Sequence, residues 1–111
     1  MKFSQTHRIR TQDQFQHVFA AQQRLFGRFY VLFYRKNQLN HPRLGMIVRK
    51  RDVSRAVLRN RIKRKTRSVF RLQQEDLPSM DIVLVVKAGA EKAGQQELQQ
   101  CLENLMLQLV A

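Results

Sequence analysis

Two periodicities alternate along the chain. Thr11-Gln12-Asp13-Gln14 has the form of a capping box, with Thr11 as N-cap and Gln14 at N3. The helix it opens carries Phe15, Val18 and Phe19 on one side and is predicted to run toward Gly27. Phe29-Tyr30-Val31-Leu32-Phe33-Tyr34 is a β-rich run with bulky residues on both faces, Phe29 and Phe33 falling on the same one. A polar turn, Asn37 to Pro42, leads to a second strand, Leu44-Gly45-Met46-Ile47-Val48, and the two strands are expected to pair as a hairpin. Asp52 or Ser54 is placed to cap a long helix ending near Gln73. On that helix Leu58, Ile62, Thr66 and Val69 form the stripe that should face a sheet. Asn60, Lys63, Arg64, Arg67 and Arg71 form the opposite stripe, with Arg59 and Arg61 on its flanks. Beyond Pro78, Ile82-Val83-Leu84-Val85-Val86 is continuously apolar, the pattern of a buried central strand. From about Gln95 a last helix lines up Leu98, Cys101, Leu102, Leu105, Met106 and Leu109. The whole chain, 1–111, reads as one small α+β sandwich domain without internal repeats.

Charge changes the picture more than any motif so far. The 111 residues carry 21 Lys and Arg against 8 Asp and Glu, a formal charge of +13. Residues 1–74 hold 19 of the basic side chains and only two acids, Asp13 and Asp52, whereas residues 75–111 are net acidic. Between Arg49 and Arg71, 11 of 23 residues are basic, leaving almost nothing for helix ion pairs. Arginines outnumber lysines 14 to 7, which suits bidentate grip on phosphates. A small domain with that self-repulsion needs a polyanionic partner, and nucleic acid is the expected one. The aromatics leave two readings open. They can be core, or, interleaved with Arg24, Arg28, Arg35 and Lys36, a platform for single-stranded RNA.

Candidate catalytic chemistry is thin. Asp13 and Asp52 lie at predicted helix starts, and Asp76 and Asp81 bracket Pro78 in what reads as a loop, too few for a two-metal site. His7, His17 and His41 could form a ribonuclease-like acid–base pair, a less economical reading than surface histidines. Cys101, the single cysteine, falls in the apolar stripe of the last helix and reads as core. No apolar run approaches the roughly 20 residues that span a bilayer. Residues 1–12 contain no acid but also no signal-peptide core, so the expected compartment is the reducing cytoplasm. By these residues the chain is a binder.

One stretch is more specific. Ala56-Val57-Leu58-Arg59-Asn60-Arg61-Ile62-Lys63-Arg64 closely resembles the RNR signature of the bacterial ribonuclease P protein subunit family. The resemblance extends over nearly the whole chain, through Arg43-Leu44-Gly45, Arg67, Phe70 and Asp81–Lys87. It implies an αβββαβα sandwich with a four-stranded sheet and a left-handed βαβ crossover, an exception to the usual hand. The extra first strand it requires would lie near Gln23–Leu25. It further implies that Lys50, Arg51, Arg59, Asn60, Arg61, Lys63, Arg64 and Arg67 bind the catalytic RNA. A cleft holding Phe15, Phe19, Val31 and Phe33 would take the 5′ leader of precursor tRNA. On the same resemblance, Mg²⁺ and the hydrolysis belong mainly to the RNA subunit, and no obligate protein partner is evident. The chain departs from many relatives in having Asp52-Val53-Ser54 where they have a glycine, Ser68 where they have an acid, and Phe33 where some have tyrosine. The alternative reading is a structural RNA-binding protein, such as a ribosomal component, without a processing role.

Overall fold

The computed structural model describes residues 7–110. Its elements are α1 (Gln12–Ala20), β1 (Arg24–Phe26), β2 (Tyr30–Lys36), β3 (Arg43–Ile47), α2 (Ala56–Gln73), β4 (Met80–Val86), a 3-10 turn (Ala88–Lys92) and α3 (Gln95–Leu107). The αβββαβα order is the expected one. The capping box of α1 forms as read: Thr11 Oγ1 accepts from the Gln14 amide at 3.2 Å, and Gln14 Oε1 accepts from the Thr11 amide at 3.1 Å. The helix stops at Ala20, well before Gly27. Gln22 takes a left-handed conformation (φ 56°), and the next residues are drawn into β1 by pairing with β2.

The sheet order is β1-β2-β4-β3, so the expected β2–β3 hairpin does not exist. β4 lies between them, antiparallel to β2 and parallel to β3. Burial explains the choice: β4 is buried along almost its whole length, so it takes an interior position, with α2 and α3 on one face and α1 on the other. β3, which is short and contains Arg43 and Gly45, takes the flank, where Arg8 bridges to Leu44. α2 is the crossover joining the parallel pair β3 and β4.

α2 and α3 cover one face of the sheet. Tyr30 and Leu32 of β2, with Ile82, Leu84 and Val86 of β4, meet Ile62, Val69 and Phe70 of α2 and Leu98, Leu102, Leu105 and Met106 of α3. Cys101 packs half-buried at the margin of this core, in keeping with its place in the stripe. Thr66 spends its hydroxyl hydrogen on the Ile62 carbonyl at 2.8 Å, so the buried Tyr30 hydroxyl donates to Thr66 across 3.4 Å. Burial pushes the Tyr30 pKa up to about 12. Phe29 precedes β2 and belongs to this core, whereas Phe33 faces the other side of the sheet; the two do not share a face.

Neither expected cap of α2 is used. Asp52 accepts from Arg49 Nε at 2.6 Å, and Ser54 donates through its amide and hydroxyl to Glu91 at 2.7 and 3.2 Å. Arg55 occupies the cap position without a side-chain bond. Asp81 also corrects the reading: it is a buried β4 residue, not a loop residue. Arg43 donates to both its oxygens (2.8 and 2.7 Å) and Asn37 to one (2.9 Å). Burial alone would raise this carboxyl's pKa, but the bonds from Arg43 and Asn37 hold it below the usual range.

Candidate nucleic-acid interface

Among the described residues, the second face of the sheet is covered by α1 and by Ile9 of the segment that leads into it. Strand register puts Phe33, Val83 and Gly45 in one row, and α1 lies over that row. Phe15 presses on Gly45, where a Cβ would sit 2.7 Å from Cε1 of the ring. Phe19 meets Phe33 edge to face, with ring centroids 4.8 Å apart. The neighbouring row, Phe26, Val31, Val85 and Ile47, stays open beside the helix. It floors a cleft of about 460 Å³, walled by Phe19, Phe33, Arg24 and Arg49. The Arg24 guanidinium lies 5.6 Å from the Phe26 centroid and 6.0 Å from that of Phe33. Phe26 itself is 69% exposed. Open rings with cations at the rim are what single-stranded nucleic acid stacks on.

Three of the four expected cleft residues, Phe19, Val31 and Phe33, line this trough. Phe15 does not. It sits nearer the other end of α1 and walls a second hollow of about 330 Å³, floored by Leu44, Gly45 and Met46 of β3. Arg24, one of the cations interleaved with the aromatics in the sequence, stands at this cleft, and Phe26 and Arg49 join it without a signal of their own in the sequence reading. The available signal was the register of Arg24-Leu25-Phe26 against Val31–Phe33, which puts Arg24 and Phe26 on the Phe33 side.

The basic helix divides its cations between two tasks. Asn60, Arg61 and Arg64 are exposed on α2, and Lys50 and Arg51 are exposed on its approach. Lys63 and Arg67, one turn apart and half-buried, point with Arg8 and Arg10 into the hollow beside Phe15. Burial, and then the charge of Arg8, lower the Arg67 pKa, a like-charge crowding that an anion would relieve. Arg59 turns back instead, donating to the carbonyls of Val53 and Ser54 at 3.0 and 2.8 Å. It fixes the approach loop onto the helix.

The histidines do not frame a reaction. His7 and His41 pack ring on ring, centroids 4.7 Å apart, which leaves no room for a scissile phosphate between them. Burial and then the neighbouring His41 lower the His7 pKa. His17 is exposed on α1. Among the described residues no three His, Cys, Asp or Glu side chains gather closely enough to hold a metal ion. No helix of the described residues is long and apolar enough to cross a membrane.

An aromatic trough beside a cation-rich helix, on an αβββαβα sandwich, defines a small RNA-binding protein. Residues 3–110 match the family model described as Ribonuclease P. The ribonuclease P protein component of Coxiella burnetii is 46% identical over 107 residues, which covers 96% of this chain and 88% of that one. The Escherichia coli component is 43% identical over 105 residues, 95% of this chain and 88% of its own length. The structure of the Staphylococcus aureus RNase P protein superposes with a TM-score of 0.87 at 27% identity, covering 95% of this chain and 98% of that one. The chain belongs to the ribonuclease P protein family. It is therefore the non-catalytic protein subunit of an RNA-based endoribonuclease, partner of the ribonuclease P RNA in 5′ processing of tRNA.

Proposed function

We propose a division of labour between the two surfaces. The cleft between α1 and the open row takes the single-stranded 5′ leader of precursor tRNA. The bases stack on Phe19 and Phe33 and slide over Val31, while Phe15 shapes the end nearest α2. The catalytic RNA lies along α2 and its approach, with phosphates against Lys50, Arg51, Arg61, Lys63, Arg64 and Arg67 and a neutral hydrogen bond from Asn60. Arg59 positions that surface from behind. The observation that carries this reading is the unfilled cleft itself: Phe26 is exposed, Val31 and Phe33 are half-buried beside it, and Arg24 and Arg49 stand at its rim.

Asp81, the buried carboxylate, is taken up by Arg43 and Asn37, and among the described residues no three His, Cys, Asp or Glu side chains gather closely enough to hold an ion. In this reading the ion is held by the RNA subunit, and the protein supplies affinity and positioning. The cytoplasm, where precursor tRNAs are made, is the matching compartment.

Reconstitution tests it. Precursor tRNA is incubated at low Mg²⁺ with the protein, with bacterial ribonuclease P RNA, and with both. Cleavage chiefly by the mixture is expected, with a greater gain for leader-bearing than for leaderless binding. A mixture no faster than the RNA alone would leave a structural RNA-binding role, and cleavage by the protein alone would indicate a nuclease.

A further inference from the structure

The cleft does not end at the sheet. Phe26, the last residue of the edge strand β1, is also a wall of a separate hollow of about 340 Å³ between the β1–β2 turn and the outer face of α3. We propose that this hollow is a base-reading subsite: a leader that has crossed the cleft rounds the sheet edge at Phe26 and sets one base against Gln100 and Asn104 of α3. The inference rests on the reading of the cleft as the leader site.

Direction comes from the two ends of the open row. Ile47 and Arg49 lie at the end that joins the basic approach to α2, where the catalytic RNA is held. Phe26 lies at the opposite end, three strand spacings or about 14 Å away. A strand leaving the RNA subunit therefore exits over Phe26, and the next surface it meets is the second hollow.

The chemistry there differs from that of the basic surfaces. Gln100 and Asn104 on α3, with Gln108 at its C-cap, stand four residues apart on one side of the helix, exposed and uncharged. An amide offers a donor and an acceptor in one plane, the complement of a base edge, and successive amides are spaced about 6 Å along the axis. Single-stranded RNA is read in this way, with an unstacked base held by an aromatic ring and its edge hydrogen-bonded. Arg28 lies with its guanidinium 4.9 Å from the Phe29 centroid and 3.6 Å from Glu97, so the hollow's one carboxylate faces a cation. The site is also preformed. A Cβ on Gly27 would stand 2.8 Å from Leu105 Cδ1 and 2.9 Å from Cys101 Sγ, so the turn is seated directly on α3.

The test uses the reconstituted holoenzyme and precursor tRNAs whose leaders are lengthened one nucleotide at a time, each new position carrying the four bases in turn. The readout is the spread of kcat/KM among the four bases, with a leader that ends inside the cleft as the reference for folding and assembly. The parent protein should begin to discriminate only once the leader is long enough to pass Phe26. The Gln100→Ala/Asn104→Ala variant should narrow that spread roughly tenfold, the worth of a good amide–base contact. Alanine is the stronger helix former, so α3 is not put at risk. An unchanged spread in the variant, no discrimination by the parent beyond the cleft, or an equal loss on the short reference leader would each overturn the subsite. Failure of the cleft reading looks different: the parent would bind leader-bearing and leaderless tRNA alike at every length, which overturns both.

Discussion

Replacing Gly45 with alanine would put a methyl group under the Phe15 ring. The added carbon would lie 2.7 Å from Cε1, 2.9 Å from Cζ and 3.0 Å from Ile9 Cβ, where ordinary contact needs more than 3.4 Å. Relief requires the ring and the α1 turn that carries it to rise by more than half an ångström from β3. Overpacking of this kind typically costs about 1–3 kcal/mol, from which the lower chain entropy of alanine returns about 0.5–1. A net loss of about 1–2 kcal/mol corresponds to a fall in Tm of roughly 4–12 °C for a domain near this size. The two closest of these atoms belong to the ring, so Phe15→Leu removes them while keeping apolar bulk. Urea unfolding of both single variants and the double variant should show a coupling of about 1 kcal/mol, the double being more stable than the sum of the singles. If Gly45→Ala is as stable as the parent, or the two changes add to within about 0.5 kcal/mol, Phe15 does not rest on Gly45 and the separation of the two hollows fails.

Three further outcomes are expected. Lys63→Ala/Arg64→Ala/Arg67→Ala should weaken binding to the catalytic RNA and reduce the slope of log K against log salt by about 2–3, one step per lost phosphate contact; an unchanged slope would exclude them from the interface. Phe33→Ala should cost about 1–3 kcal/mol in binding leader-bearing precursor tRNA, with leaderless tRNA and RNA-subunit binding little changed by filter binding; equal losses would make the ring mere core. Asp81→Asn should destabilise the fold by about 2–3 kcal/mol, since Arg43 is left largely buried without its counter-charge. Because the folded carboxyl titrates below its unfolded value, its stabilisation is full above about pH 4 and is lost as pH falls through the lowered folded pKa. Acid unfolding of Asp81→Asn should therefore be shallower than that of the parent in this range, and parallel curves would refute the assignment.

The readings that succeeded were those whose information is local. The capping box at Thr11 and Gln14 is made entirely by residues three apart. The inner stripe of α2 is set by helical period, and Ile62, Thr66 and Val69 are buried as read. Strand pairing is not local: nothing in residues 29–48 announces that a strand more than thirty residues later will separate β2 from β3. The same holds for Ser54, a suitable cap whose amide and hydroxyl are taken by Glu91 from 37 residues away, whereas Asp52 is diverted locally by Arg49, three residues before it. In the site, Phe19 and Phe33 were legible as half-buried aromatics. Phe15 shares a helix face with Phe19, but α1 spans from β3 to β2, so their surroundings differ. Phe26 was hidden because a three-residue strand is too short to display an alternation.

The central position of β4 sets the timing of assembly. Until Met80–Val86 has left the ribosome, β2 and β3 have no shared neighbour, and neither can complete its ladder. Synthesis adds the cation-rich α2 before it adds the strand that closes the sheet, so a nascent chain can present its arginines while its apolar strands are still unsatisfied. Non-local closure of this sort is slow and exposes sticky edges. A chain truncated before Met80 would lose the strand on which α2 packs from one face and α1 from the other.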